Sequence, residues 1–134
     1  MRKKINCILL IDDDGTTNFL HKIIIQETGL AEKVVAVQSG KEALEYLEKK
    51  EDGEYPRPDL IFLDINMPAM NGWEFLEEYN KLDQSLKGQI MIVMLTTSIN
   101  PDDETKAQDI DLIDGFLSKP LTEEMLAEII ENHF

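Results

Sequence analysis

This sequence offers little cysteine, little imidazole and no surplus of positive charge. One cysteine, Cys7, stands among 134 residues. No intramolecular disulfide can therefore form, and its place in the apolar run Cys7 to Ile11 predicts a buried thiol in a reducing, cytoplasmic setting. The two histidines, His21 and His133, both read as ordinary surface residues, and they form no Cys/His cluster of the kind zinc takes. Lys and Arg number 13 against 27 Asp and Glu, leaving a net charge of −14. That charge opposes approach to nucleic-acid phosphates and to anionic lipid, and it favours a protein partner. The opening MRKK followed by apolar residues imitates a secretory signal, but Asp12, Asp13 and Asp14 stop the run too early. No stretch is long enough to span a bilayer. No repeat, low-complexity stretch or linker divides the chain, and its length suits one domain, residues 1–134, that buries roughly two-thirds of the surface of its unfolded form.

What the chain has is five apolar runs alternating with five segments of helical period, which predicts a (βα)5 doubly wound parallel sheet. The segment Leu60 to Gly72, LIFLDINMPAMNG, is its centre: an apolar strand delivers Asp64 to the carboxyl end, where open α/β sheets place ligands. Alone, Asp64 could equally open a turn. The other strands are Asn6 to Ile11, Lys33 to Val37, Ile90 to Leu95 and Gly115 to Leu117. Asp14 or Thr16 caps a first helix with Phe19, Leu20, Ile23 and Ile24 inward, ending near Gly29. Ser39 and Glu42 make a capping box for a helix burying Ala43, Leu44 and Leu47. Glu51 to Pro58 is a surface loop, and Trp73, Phe75, Leu76 and Tyr79 recur at helical spacing as core. Asn100 and Pro101 start a helix, Asp102 to Gln108, with almost no apolar stripe, which predicts exposure and weak anchoring. Thr122 caps a last helix with Met125, Leu126, Ile129 and Ile130 inward.

In a sheet of order 2-1-3-4-5, strands one and three lie side by side at the switch point, so Asp13 and Asp64 converge. Asp12, Thr96 and Lys119 join them on the same edge. Oxygen ligands from one or two carboxylates are what Mg2+ takes. Unpaired, such acids repel by several kcal/mol at an effective dielectric of roughly 20, a cost that a divalent cation and Lys119 relieve.

The motifs LLIDDD, LDINMPAMNG, MLTTS and GFLSKP, in this order at the ends of strands, resemble a response-regulator receiver domain of two-component signalling, the single-domain kind typified by the chemotaxis regulator. The likeness covers the whole chain. It implies a phosphoprotein in which Asp64 accepts the phosphoryl group as an aspartyl phosphate. It implies that Asp12, Asp13, Asp64 and the backbone carbonyl of Asn66 hold Mg2+, and that Thr96 and Lys119 bind phosphoryl oxygens. Phe116 takes the aromatic switch position, and Lys119-Pro120 takes a cis bond. The donor would be a sensor histidine kinase or a histidine phosphotransfer protein, the listener a downstream protein, with a dimer possible and no output domain in the chain. Ser98, two residues after Thr96, stands where the familiar example has an acid, and Phe116 lacks a hydroxyl. A carboxylate nucleophile in phosphoryl transfer needs only in-line positioning and charge stabilisation.

Three other functions compete. A flavodoxin-like electron carrier would want hydroxyls and Gly amides where Asp12 to Asp14 would repel a flavin phosphate. An aspartyl-nucleophile phosphatase would want a second acid two residues after the first, where this chain has Asn66. A receiver-shaped binding module that is never phosphorylated would not need all five site side chains.

Overall fold

The apolar runs become five parallel strands: β1 (Ile5–Ile11), β2 (Ala31–Val37), β3 (Leu60–Asp64), β4 (Met91–Thr96) and β5 (Ile113–Ser118). They are ordered β2-β1-β3-β4-β5. The computed structural model describes residues 5–50, 52–82, 90–97, 100–110 and 113–134; Ser98 and Glu51 lie outside them. The five described helices are α1 (Gly15–Thr28), α2 (Gly40–Glu48), α3 (Gly72–Asn80), α4 (Pro101–Gln108) and α5 (Glu123–His133). β1 and β3 are neighbours at the centre, with Leu10 opposite Phe62 and Ile11 opposite Leu63.

Burial follows the period of two. Ile8 and Leu10 of β1 face a core shared with Ile25 of α1 and Leu126 and Ile130 of α5. Leu9 and Ile11 face the opposite core, shared with Leu47 of α2 and Phe75 and Leu76 of α3. Strands covered on both faces have no polar side, and so β3 and β4 are buried throughout. Cys7 is buried as its apolar run predicts.

The helix ends largely obey their caps. Asp14 caps α1, accepting from Thr16 N–H and Thr17 N–H, and Gly29 closes it in the left-handed region at φ 67°. At α2 the expected capping box forms by half: Ser39 Oγ accepts from Glu42 N–H, but the Glu42 carboxylate does not return to the Ser39 N–H. The reciprocal capping box forms at α3, where Asn71 and Glu74 exchange bonds. In α3 Phe75, Leu76 and Tyr79 are buried, whereas Trp73 is half-buried with the Lys106 ammonium 4.8 Å from its ring centroid. Only Ala107 of α4 is buried, in keeping with its missing stripe.

Two expectations fail on α1. Phe19 is 62% and Leu20 52% exposed, and Ile23 is exposed as well, while the buried residues are Asn18, His21 and Ile25. The reason is phase. Residues 18, 21 and 25 share one face at spacings of three and four, and each step along a helix turns about 100°, so 19, 20 and 23 point elsewhere. Hydrogen bonds set that phase: Asn18 Nδ2 donates to Asp12 O at 2.9 Å and Val37 O at 3.0 Å, tying α1 to the ends of β1 and β2. His21 is therefore a buried residue; His133 is exposed, as expected.

Candidate functional site

Three strand ends and one loop meet at the carboxyl edge of the sheet. Asp12 follows β1 and is buried. Its Oδ1 accepts Asp14 N–H at 2.9 Å, and its Oδ2 accepts from Lys119 Nζ at 2.5 Å, so both oxygens are oriented from within the chain. Asp64 closes β3 and is buried too, with Lys119 Nζ 3.2 Å from its Oδ1. Asp13 is exposed, and carboxylate oxygens of Asp12, Asp13 and Asp64 all lie within 4.8 Å of one another. Thr96 ends β4, buried beside Asp64 through the neighbouring strand.

The backbone around these groups is specified closely. Lys119 N–H donates to Thr96 O at 2.7 Å, which extends the pairing of β4 with β5 and brings the Lys119 side chain over the site. The Lys119–Pro120 bond is cis. After Asp64 the chain turns into α3, and Gly72 N–H donates to Ile65 O at 2.8 Å. A Cβ at position 72 would come within 2.7 Å of Asp64 O and 3.0 Å of Ile65 Cα, so only glycine lets α3 start this close to the site. Asn66, two residues after Asp64, is exposed in that turn. Phe116 lies off the acidic cluster, opposite Met94 on β5, half-buried against the core under α2 and α3.

Charge in the site is unbalanced toward the acids. Burial, followed by the charge of Asp12, pushes the Asp64 carboxyl up to about 6; Lys119 offsets only part of this. Burial pulls the Lys119 ammonium down, but the hydrogen bond and charge of Asp12, and then Asp64, reverse that, so its pKa ends above the ordinary value. Three converging carboxylates against one ammonium leave excess negative charge, and the donors are oxygen only. This fits a hard divalent cation such as Mg2+ and does not fit zinc.

The apolar periodicity missed two buried polar residues that stand behind these acids. His21 Nε2 accepts Leu121 N–H at 3.2 Å. Asn18 turns its amide N to two backbone carbonyls, and its buried Oδ1 has no partner among the described residues. A cavity of about 10 Å3, the size of one water molecule, is lined by Asp12, Asn18, His21 and Asp64. The signal in the sequence was the spacing of Asn18, His21 and Ile25, a helical face whose polar end meets the ends of the strands.

Comparison with known proteins shows the family and the fold. The family model described as "Response regulator receiver domain" matches residues 8–131. A crystal structure of a two-component response regulator from Cytophaga hutchinsonii superposes with a TM-score of 0.86 at 37% identity, over 97% of each chain. Among curated proteins, a probable methanogenesis regulatory protein, FilR2, of Methanothrix harundinacea is 32% identical over 92% of this chain and 78% of its own length. The response regulator Rcp1 of Synechocystis is 36% identical over 72% of this chain and 65% of its own.

Proposed function

Because this chain belongs to the response-regulator receiver-domain family, we propose that it accepts a phosphoryl group on Asp64 and signals by a changed surface. The donor is a histidine kinase or a histidine phosphotransfer protein. The observation that carries the reading is the Lys119 ammonium held between Asp12 and Asp64 at the carboxyl edge of the sheet.

In the transfer, an Asp64 carboxylate oxygen forms the new O–P bond as the N–P bond of a phosphohistidine breaks, and the leaving imidazole takes up a proton. The chain supplies position and charge, because such a transition state spreads charge over three equatorial oxygens and asks for little else. Strand β3 fixes the nucleophile, and the tight turn at Gly72 keeps its backbone in place. Lys119 stands ready to meet the phosphoryl oxygens, and Thr96 offers a hydroxyl from the next strand. Asp12, Asp13 and Asp64 with the Asn66 carbonyl would hold Mg2+, which supplies neutralising charge at those same oxygens. The chain thus promotes its own phosphorylation and later hydrolysis, without turning over a separate substrate.

The exposed strip Phe19, Leu20 and Ile23 on α1 supports a protein donor. A groove of about 380 Å3 lined by Leu20, Ile24, Thr97, Lys119 and Pro120 joins that strip to the site, so a donor helix packed on α1 would bring its histidine to Asp64. With acetyl phosphate and Mg2+ the chain should become labelled with one acid-stable, base-labile phosphoryl group, and Asp64→Asn should abolish the labelling. Undiminished labelling of Asp64→Asn would defeat the assignment.

A further inference from the structure

The loop after β5 aims Lys119, yet it has few means of holding itself. Pro120 has no N–H to donate, leaving the N–H groups of Lys119 and Leu121. That of Lys119 goes to Thr96 O, which pins one side of the loop to the sheet. That of Leu121 goes to His21 Nε2, which pins the other side to α1, across 100 residues of sequence. Both partners are deeply buried, His21 at 3% and Leu121 at 1% exposure. An acceptor at Nε2 requires the neutral ring with its proton on Nδ1, a form this hydrogen bond itself selects.

We propose that His21 is a positioning residue for Asp64 chemistry: its Nε2 holds the Leu121 N–H, and so α1 sets where the Lys119 ammonium stands between Asp12 and Asp64. The inference rests on the phosphoryl-acceptor reading for its consequence, but not for its geometry. Without the acceptor, the buried Leu121 N–H has no partner and the loop must move to find one. The Lys119 ammonium moves with it, because only one residue separates them. A purely structural histidine would lower the melting temperature and leave Lys119 where it is.

Glutamine separates the two cases, since its Oε1 reaches about as far as Nε2, while the amide of asparagine stops near the Nδ1 position and leucine offers no acceptor. The test compares His21→Gln, His21→Asn and His21→Leu in the full chain by two readouts. The first is the rate at which Lys119 is acetylated by an amine-reactive ester, followed by peptide mass spectrometry. The second is the initial rate of labelling by acetyl phosphate at saturating Mg2+. His21→Leu and His21→Asn should expose Lys119 to acetylation and slow labelling by roughly tenfold, the scale of a small misplacement of a charged group, while His21→Gln stays within about twofold of the parent in both. If His21→Leu does not fold, the Asn and Gln pair decides alone. Parent-like Lys119 acetylation in His21→Asn overturns the inference. If the variants show that acetylation pattern but the parent is never labelled, the acceptor reading is overturned instead.

Discussion

As the proposed acceptor, Asp64 would meet two demands at once: burial among charge-stabilising groups, and ionisation to act as a nucleophile. In the metal-free chain its carboxyl is pushed up from 3.8 to about 6, by burial first and Asp12 second. The sign follows from linkage. A carboxyl with a raised folded-state pKa gives stability that is fully present below its unfolded value and is lost as pH rises through the folded one. Ionising Asp64 should thus cost about 2–3 kcal/mol above pH 6, at about 1.4 kcal/mol for each unit. Metal-free Asp64→Asn should accordingly unfold at higher denaturant than the parent at pH 7.5, with the gap closing toward pH 4. An equal gap at both pH values would mean that Asp64 is not the strained acid. Carbon NMR of the Asp64 carboxyl should place the metal-free midpoint near 6, and Mg2+ should lower it; a midpoint unmoved by Mg2+ would argue against ligation by Asp64. At this scale the sequence was most legible where a polar residue ends an apolar strand, as at Asp12, Asp64 and Thr96. It was least legible at Asn18 and His21, whose burial is fixed by hydrogen bonds to backbone outside their own helix.

The strands and most helices could be read from period and caps, because each condition is local: apolar runs covered on both faces, Ser39 with Glu42 N–H, Thr122 with Met125 N–H. The phase of α1 could not, since its inward face is chosen by hydrogen bonds to Asp12 O, Val37 O and Leu121 N–H rather than by its most apolar stripe. That choice leaves Phe19 and Leu20 at the surface, where the proposed protein donor would dock. Phe19→Ser with Leu20→Gln should change stability by no more than about 0.5 kcal/mol, as surface substitutions do. It should leave labelling by acetyl phosphate intact and slow transfer from a phosphorylated protein donor at least about tenfold, the usual scale for losing an apolar anchor. Equal slowing with both donors would place the defect in the site rather than in docking. The other exposed element, α4, holds the body through Ala107 and the stacking of Lys106 on Trp73. On the proposed function, phosphorylation would draw Thr96 toward the new phosphoryl oxygens and let Phe116 turn into the space beneath, and a helix so lightly attached would shift with them, a change that a few kcal/mol can bias. Beryllofluoride, a mimic of the phosphoryl group, should therefore move amide resonances of Ala107 and Phe116. Thr96→Ala should confine the changes to residues around Asp64.

The whole molecule carries a charge of −14, and its acids gather at the site as well as over the surface. Among the described residues no helix is long and apolar enough to cross a membrane. A field of that sign repels an anionic phosphodonor and attracts a divalent cation. At saturating Mg2+, raising the ionic strength should therefore speed labelling by acetyl phosphate, because screening shortens the reach of the repulsion to about 8 Å at 0.15 M salt. A rate that falls with salt under those conditions would mean the phosphodonor meets a positive surface. The fold was legible at this scale because alternating strand and helix patterns admit few arrangements of a parallel sheet, and this one brings Asp12, Asp13, Asp64, Thr96 and Lys119 to one edge. The proposed function rests on Asp64 being the carboxylate that takes the phosphoryl group. The most direct measurement is to incubate the chain with acetyl phosphate and Mg2+, reduce the acyl phosphate with borohydride, and map the peptides by mass spectrometry. The account predicts conversion of aspartate to homoserine at position 64 alone; conversion at Asp12 or Asp13 with position 64 untouched, or none anywhere, would contradict it.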